Sequence, residues 1–124
     1  MALKYVFGVS SRLQSNVHFL EEKKILYPAA HYMVKYNIND KVQQYIAGNE
    51  VFRGITAMGV SSKNTLLAIA EKGDRPNIYI YDITHMRKKK FCVIPDDVKE
   101  SFEEYVSLAF FPEDETKLLS LVTF

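Results

Sequence analysis

Short apolar runs broken by polar turns dominate the sequence, and they read as strands. Leu3 to Val9 is the first, with a loop from Ser10 to Asn16 behind it. Val17 to Leu20, Ile25 to Ala29, Tyr32 to Ile38 and Val42 to Ala47 follow, separated by turns at Glu21 to Lys24 and at Asn39 and Asp40. After a loop at Gly48 to Gly54 the pattern restarts. Ile55 to Val60, Leu66 to Ala70, Asn77 to Ile83 and Lys89 to Ile94 make a second set, the last preceded by a basic turn. Pro95 to Glu104 is the one candidate helix: Val98, Phe102 and Tyr105 fall at helical spacing behind Asp96 and Asp97, although an irregular turn fits the short segment as well. A third restart begins at Tyr105 and runs into an apolar strand at Leu118 to Phe124.

The stretch "NIYIYDI" carries a further signal. Ile78 and Ile80 point to one face of their strand, and Tyr79, Tyr81 and Ile83 to the other. A sheet with one face in water alternates apolar with polar, so this strand is buried on both sides. Parallel α/β sheets do this too, but they need crossover helices for which these connections are too short. The repeats offer another solution. "ITAMGVSSKNTLLAIA" and "VSLAFFPEDETKLLSLV" share a template at an offset of 50 to 52, and "YMVKYNI" echoes "NIYIYDI" at an offset of 45. Repeats of this length built from four strands are the signature of propeller blades, in which neighbouring blades cover both faces of each small antiparallel sheet.

The fold expected is therefore all-β: an incomplete β-propeller of about two and a half blades, each complete blade a four-stranded antiparallel sheet. A β-sandwich, which would leave one face of most strands polar, is the alternative. The division that follows is an N-terminal closing strand and loop at 1–16, a first blade at 17–54, a second blade with its connecting loop at 55–104 and the start of a third at 105–124. Strands left with open edges invite association, so the expectation is a fragment of a longer protein or a chain completed by another.

Composition narrows the function. A hydrophobic share of 48% with a net charge of +1 describes a folded domain and argues against a dedicated nucleic-acid binder, which would carry a marked basic excess. Cys92 is the only cysteine, which excludes an internal disulfide and a cysteine metal cluster and fits a reducing, intracellular compartment. The N-terminus lacks the apolar core of a secretory signal, and no apolar run approaches the roughly 20 residues that span a bilayer, so no membrane partner is expected.

Signs of catalysis are missing. His18, His31 and His85 show no metal-ligand spacing, there is no GxSxG elbow, and no phosphate-binding glycine loop occurs. "GVSS", at 8–11 and 59–62, reads as turn chemistry, with serine side chains bonding nearby backbone. The carboxylates at Glu103 and Glu104 and from Glu113 to Glu115 read as solvated loop groups. No enzyme, cofactor or metal site is expected. The densest charge feature is "HMRKKKF", in which Arg87, Lys88, Lys89 and Lys90 are the candidate partner-binding residues. They fit a solvated turn whose lysines blunt an outer edge strand, or a contact with an acidic partner such as the acidic tails of tubulin.

The stretches "YVFGVSSRLQSNVHFLEEKKILYPAAHYMVKYN", "GITAMGVSSKNTLLAIAEKGDRPNIYIYDI" and "RKKKFCVI" resemble the ciliary WD-repeat family of cilia- and flagella-associated protein 57, in its N-terminal propeller portion. Tyr81-Asp82 stands where such repeats carry Trp-Asp, and Ser61-Ser62 and Phe111-Pro112 stand where they carry a Ser-Pro turn. The resemblance implies that Tyr81 packs between blades while Asp82 bonds turn backbone. It also implies a non-catalytic scaffold of the cilium or flagellum axoneme that helps place inner-arm dyneins on doublet microtubules, with axonemal proteins, dynein-associated complexes and the microtubule doublet as partners. A WD-repeat adaptor of a non-ciliary protein or RNA complex is the alternative function.

Overall fold

A computed structural model describes residues 16–29, 32–47, 54–73, 76–92 and 103–123. The described residues form three antiparallel sheets. Sheet 1 takes β1 (His18–Glu21), β2 (Lys24–Ala29), β3 (Tyr32–Asn37) and β4 (Val42–Ala47) in sequential order. Sheet 2 repeats that meander with β5 (Ile55–Val60), β6 (Leu66–Glu71), β7 (Ile78–Asp82) and β8 (Arg87–Cys92). Sheet 3 is the pair β9 (Glu104–Phe111) and β10 (Asp114–Thr123). The candidate closing strand Leu3 to Val9, the first "GVSS" and His31 lie outside the described residues. So does most of Pro95 to Glu104, whose last residue opens β9 rather than ending a helix.

Residues 78–83 show why both faces of β7 are apolar. Tyr79, Tyr81 and Ile83 join Met58, Leu67 and Ile69 against Leu20, Leu26, Met33 and Ile46 of sheet 1. Ile78 and Ile80, with Ala57, Ala68 and Ala70, pack on Tyr105 and Leu108 of sheet 3. Sheet 2 is thus sandwiched between its neighbours, and Tyr81 is only 5% exposed. Burying side chains of this size contributes roughly 1.5–3 kcal/mol each, a gain available to β7 on both faces.

The two interfaces differ in grain. Toward sheet 3, sheet 2 presents small residues, and β5 approaches β9 so closely that a Cβ added to Gly59 would lie 2.6 Å from the Leu108 carbonyl oxygen. Glycine is needed there for backbone approach.

Hairpin turns tie the sheets together at one end, and they follow the repeat. Ser62 Oγ donates to the Pro112 carbonyl (2.7 Å), and Thr65 Oγ1 donates to Glu115 (3.1 Å), each across an interval of 50 residues. Asn64 Nδ2 donates to the Leu20 carbonyl in the other direction (2.8 Å). Ser61, almost wholly buried, accepts from the backbone N–H groups of Thr65 and Leu66, as the turn reading of "GVSS" requires. The echo at 45 residues also extends to detail. Asn37 Oδ1 accepts from the N–H of Asn39 and of Asp40, and Asp82 Oδ1 accepts from the N–H of Thr84 and of His85. Both turns end on a left-handed residue, Lys41 at φ 53° and Met86 at φ 51°.

Candidate functional site

Arg87 to Lys90 do not form a turn. The turn is Ile83 to Met86, and the basic run begins β8, the outermost strand of sheet 2. The capping carboxylate of Asp82 is what shifts the boundary, because it closes the hairpin before Arg87. Arg87 and Lys88 are neighbours in a strand and so take opposite faces, and the register then shifts at Lys89, which has no opposite partner, so the basic run is not laid out as one patch. Register places Arg87 opposite Asp82, Lys88 opposite Tyr81 and Lys90 opposite Ile80. Arg87, Lys88 and Lys89 are exposed. Lys88 folds back over the Tyr79 ring, with Nζ 4.2 Å from the centroid, a cation–π contact that keeps its charge at the sheet 1 side.

Glu71, at the end of β6, feels the charge of Lys88. One carboxylate oxygen is buried with no hydrogen-bond partner among the described residues, and burial pushes the group up to about 7 against the opposing pull of Lys88. Burial, and then the charge of Glu71, push the Tyr81 hydroxyl up to about 12. On the turn side, His85 Nδ1 lies 2.9 Å from Asp82 Oδ2. That hydrogen bond is the first cause of the lowered Asp82 pKa, and backbone donors of the turn add to it. His85 is therefore part of a turn cap. Among the described residues no three His, Cys, Asp or Glu side chains gather as metal ligands would. Glu113 is exposed, but Asp114 and Glu115 open β10 instead of lying in a loop, and Glu115 is the acceptor for Thr65.

A second feature escaped sequence reasoning. Between sheets 1 and 2, at the turn end, a cleft of about 370 Å³ is lined by Leu20, Glu21, Lys24, Lys35, Lys63, Asn64, Thr65, Ile83 and Thr84. An adjoining lobe of about 240 Å³ shares Lys24 and Lys35 and adds Asn37, Asp40, Val42 and Gln44. Lys35 bridges the sheets, donating from Nζ to the Ile83 carbonyl (3.0 Å). Burial, followed by the nearby charge of Lys24, lowers its pKa, while Glu21 and Asp82 oppose the shift. The signal was available in the echo at 45 residues, which sets Lys35 on Ile80.

Sheets of this order, stacked face to face and joined through equivalent turns, are β-propeller blades. The structure superposes on the beta-propeller domain of Cps50 (Swd1) from Myceliophteria thermophila with a TM-score of 0.66, covering 92% of this chain and 34% of that one at 11% identity, a likeness of fold. No protein-family model matches. By sequence, the chain is 34% identical over 111 residues to cilia- and flagella-associated protein 57 C of Tetrahymena thermophila, covering 87% of this chain and 8% of that protein. It is 32% identical over 110 residues to mouse cilia- and flagella-associated protein 57, covering 88% and 9% respectively. Mouse cilia- and flagella-associated protein 44 matches at 32% over 102 residues, 82% of this chain and 5% of the relative. The resemblance to the cilia- and flagella-associated protein 57 family is thus borne out, over a stretch less than a tenth as long as these relatives.

Proposed function

We propose that the chain is a non-catalytic docking module of the cilium or flagellum, a propeller portion whose turns and strand edges hold axonemal proteins in place. The observation that carries this reading is similarity along most of the chain to proteins named for cilia and flagella, combined with a fold whose described residues offer surfaces and turns. Rigid sheets that present loops suit binding spread over many residues. Its finer form is that the module helps place inner-arm dyneins on doublet microtubules, with dynein-associated complexes as neighbours. The test is fractionation: the native protein should remain with isolated axonemes after salt extraction, and axonemes lacking it should lose inner-arm density. A protein found only in the soluble pool overturns the ciliary reading. Intact arms in its absence overturn the dynein reading alone.

Exposure of Arg87, Lys88 and Lys89 along an outer strand supports a role for Arg87 to Lys90 in contacting an acidic surface. Changing all four to Ser should weaken microtubule co-sedimentation, and the loss should shrink as salt screens the contact. Unchanged binding at low salt would leave them as solvated edge residues.

A further inference from the structure

Two lysines stand at the contact between sheets 1 and 2 where the next contact is apolar. The pairs Lys24–Asn37 and Leu26–Lys35 in sheet 1 correspond in register to Leu66–Asp82 and Ala68–Ile80 in sheet 2. Lys24 therefore holds the place of Leu66, and Lys35 that of Ile80. Leu66 and Ile80 pack into the apolar cluster joining sheets 2 and 3. Putting lysines in those places opens the two-lobed cleft and strips water from an ammonium group, which costs stability. The facing turn follows suit, since Lys63 stands at the repeat position of Glu113, 50 residues on.

Two lysines of this cleft keep N–H donors that no described residue meets. Lys35 gives one N–H to Ile83 and has others to spare. Lys63 has no hydrogen bond or ion pair among the described residues. The carboxylates nearby are already engaged: Glu21 pairs with Lys24 at 3.2 Å, Asp40 accepts from Asn37 Nδ2 at 3.1 Å, and Asp82 bonds its own turn and His85. We infer that the groove between sheets 1 and 2 binds an acidic peptide segment, one carboxylate meeting Lys35 and another Lys63. A nucleic-acid strand fits worse. Glu21 and Asp40 line the walls and would repel a continuous phosphate backbone, while separate carboxylates can pass between them, and a net charge of +1 supplies no steering field for phosphate. This inference deepens the docking reading, and the two fail separately, since axonemal attachment can survive the loss of this one groove.

The test is fluorescence anisotropy of the full chain with a short labelled peptide of alternating Glu and Gly, at low and raised salt. Lys63→Glu, on an exposed turn, should weaken binding by about tenfold or more, whereas Lys72→Glu, exposed at the opposite end of sheet 2, should change it by less than about twofold. The weakening should shrink with salt. Lys35→Met should also weaken binding while keeping or raising the melting temperature, an outcome that a merely structural lysine would not produce. Should that variant not fold, Lys63→Glu decides the matter. Absence of binding by the wild-type chain, equal effects of Lys63→Glu and Lys72→Glu, or equally tight, Lys63-dependent binding of an oligonucleotide of matched charge would each overturn the proposal.

Discussion

Glu71 and Tyr81 show how much single side chains carry in this fold. The folded-state pKa of Glu71, pushed up to about 7, lies above its ordinary value of 4.5, so the folded chain holds that proton more tightly than the unfolded one. Its contribution to stability is complete below about pH 4.5 and is lost as pH rises through about 7. Glu71→Gln, which keeps the shape without the charge, should therefore melt higher than wild type at pH 8 and nearly with it at pH 4.5. A constant difference across that window would show that the carboxylate is better solvated than its buried oxygen implies. Tyr81 packs between sheets 1 and 2 at 5% exposure, and Tyr81→Ala should cost about 3 kcal/mol in urea unfolding. A cost near zero would mean that this strand does not hold the two sheets together.

Elements were legible wherever the pattern of side chains alone decided them. Val42–Ala47 and Ile55–Val60 were read to the residue, and the doubly apolar β7 announced its two neighbours. What failed depended on contacts that pattern does not encode. Polar Arg87–Lys90 carries no period-two apolar signal, and it is a strand because β7 offers its edge once the Asp82 cap has closed the turn. The lysine-lined groove is hidden in the sequence because the pattern puts Lys24 in a turn and Lys35 inside a strand with nothing to mark a shared face, and only register sets them against Leu66 and Ile80. Gly59 was passed over for the same reason. Its need for no side chain comes from β9, distant in sequence, whose Leu108 carbonyl would meet an added Cβ at 2.6 Å. Gly59→Ala should force β5 and β9 apart and cost about 1–3 kcal/mol, measured by chemical denaturation. Wild-type stability in that variant would show that sheet 3 sits on sheet 2 with slack.

At the scale of the molecule, the sheets differ in what covers them. The face of sheet 2 that carries Ala57, Gly59, Ala68 and Ala70 is closed by sheet 3. In sheet 3 the register places corresponding to these are Ser107, Ala109, Leu119 and Leu121. There Leu119 is 56% exposed and Leu121 57%, with Phe111 at 47% nearby. Among the described residues β10 also pairs only with β9, leaving its other edge open. An open edge beside a leucine face is a template for another strand. The 124 residues expressed by themselves should therefore run as oligomers or aggregates in size-exclusion chromatography with light scattering. Leu119→Lys with Leu121→Lys should shift them toward monomer, because charge on that face opposes pairing without touching the side packed on sheet 2. A wild-type chain that is monomeric at low concentration and melts in one sharp transition would overturn this, and would mean that sheet 3 tolerates water on a face that sheet 2 must bury.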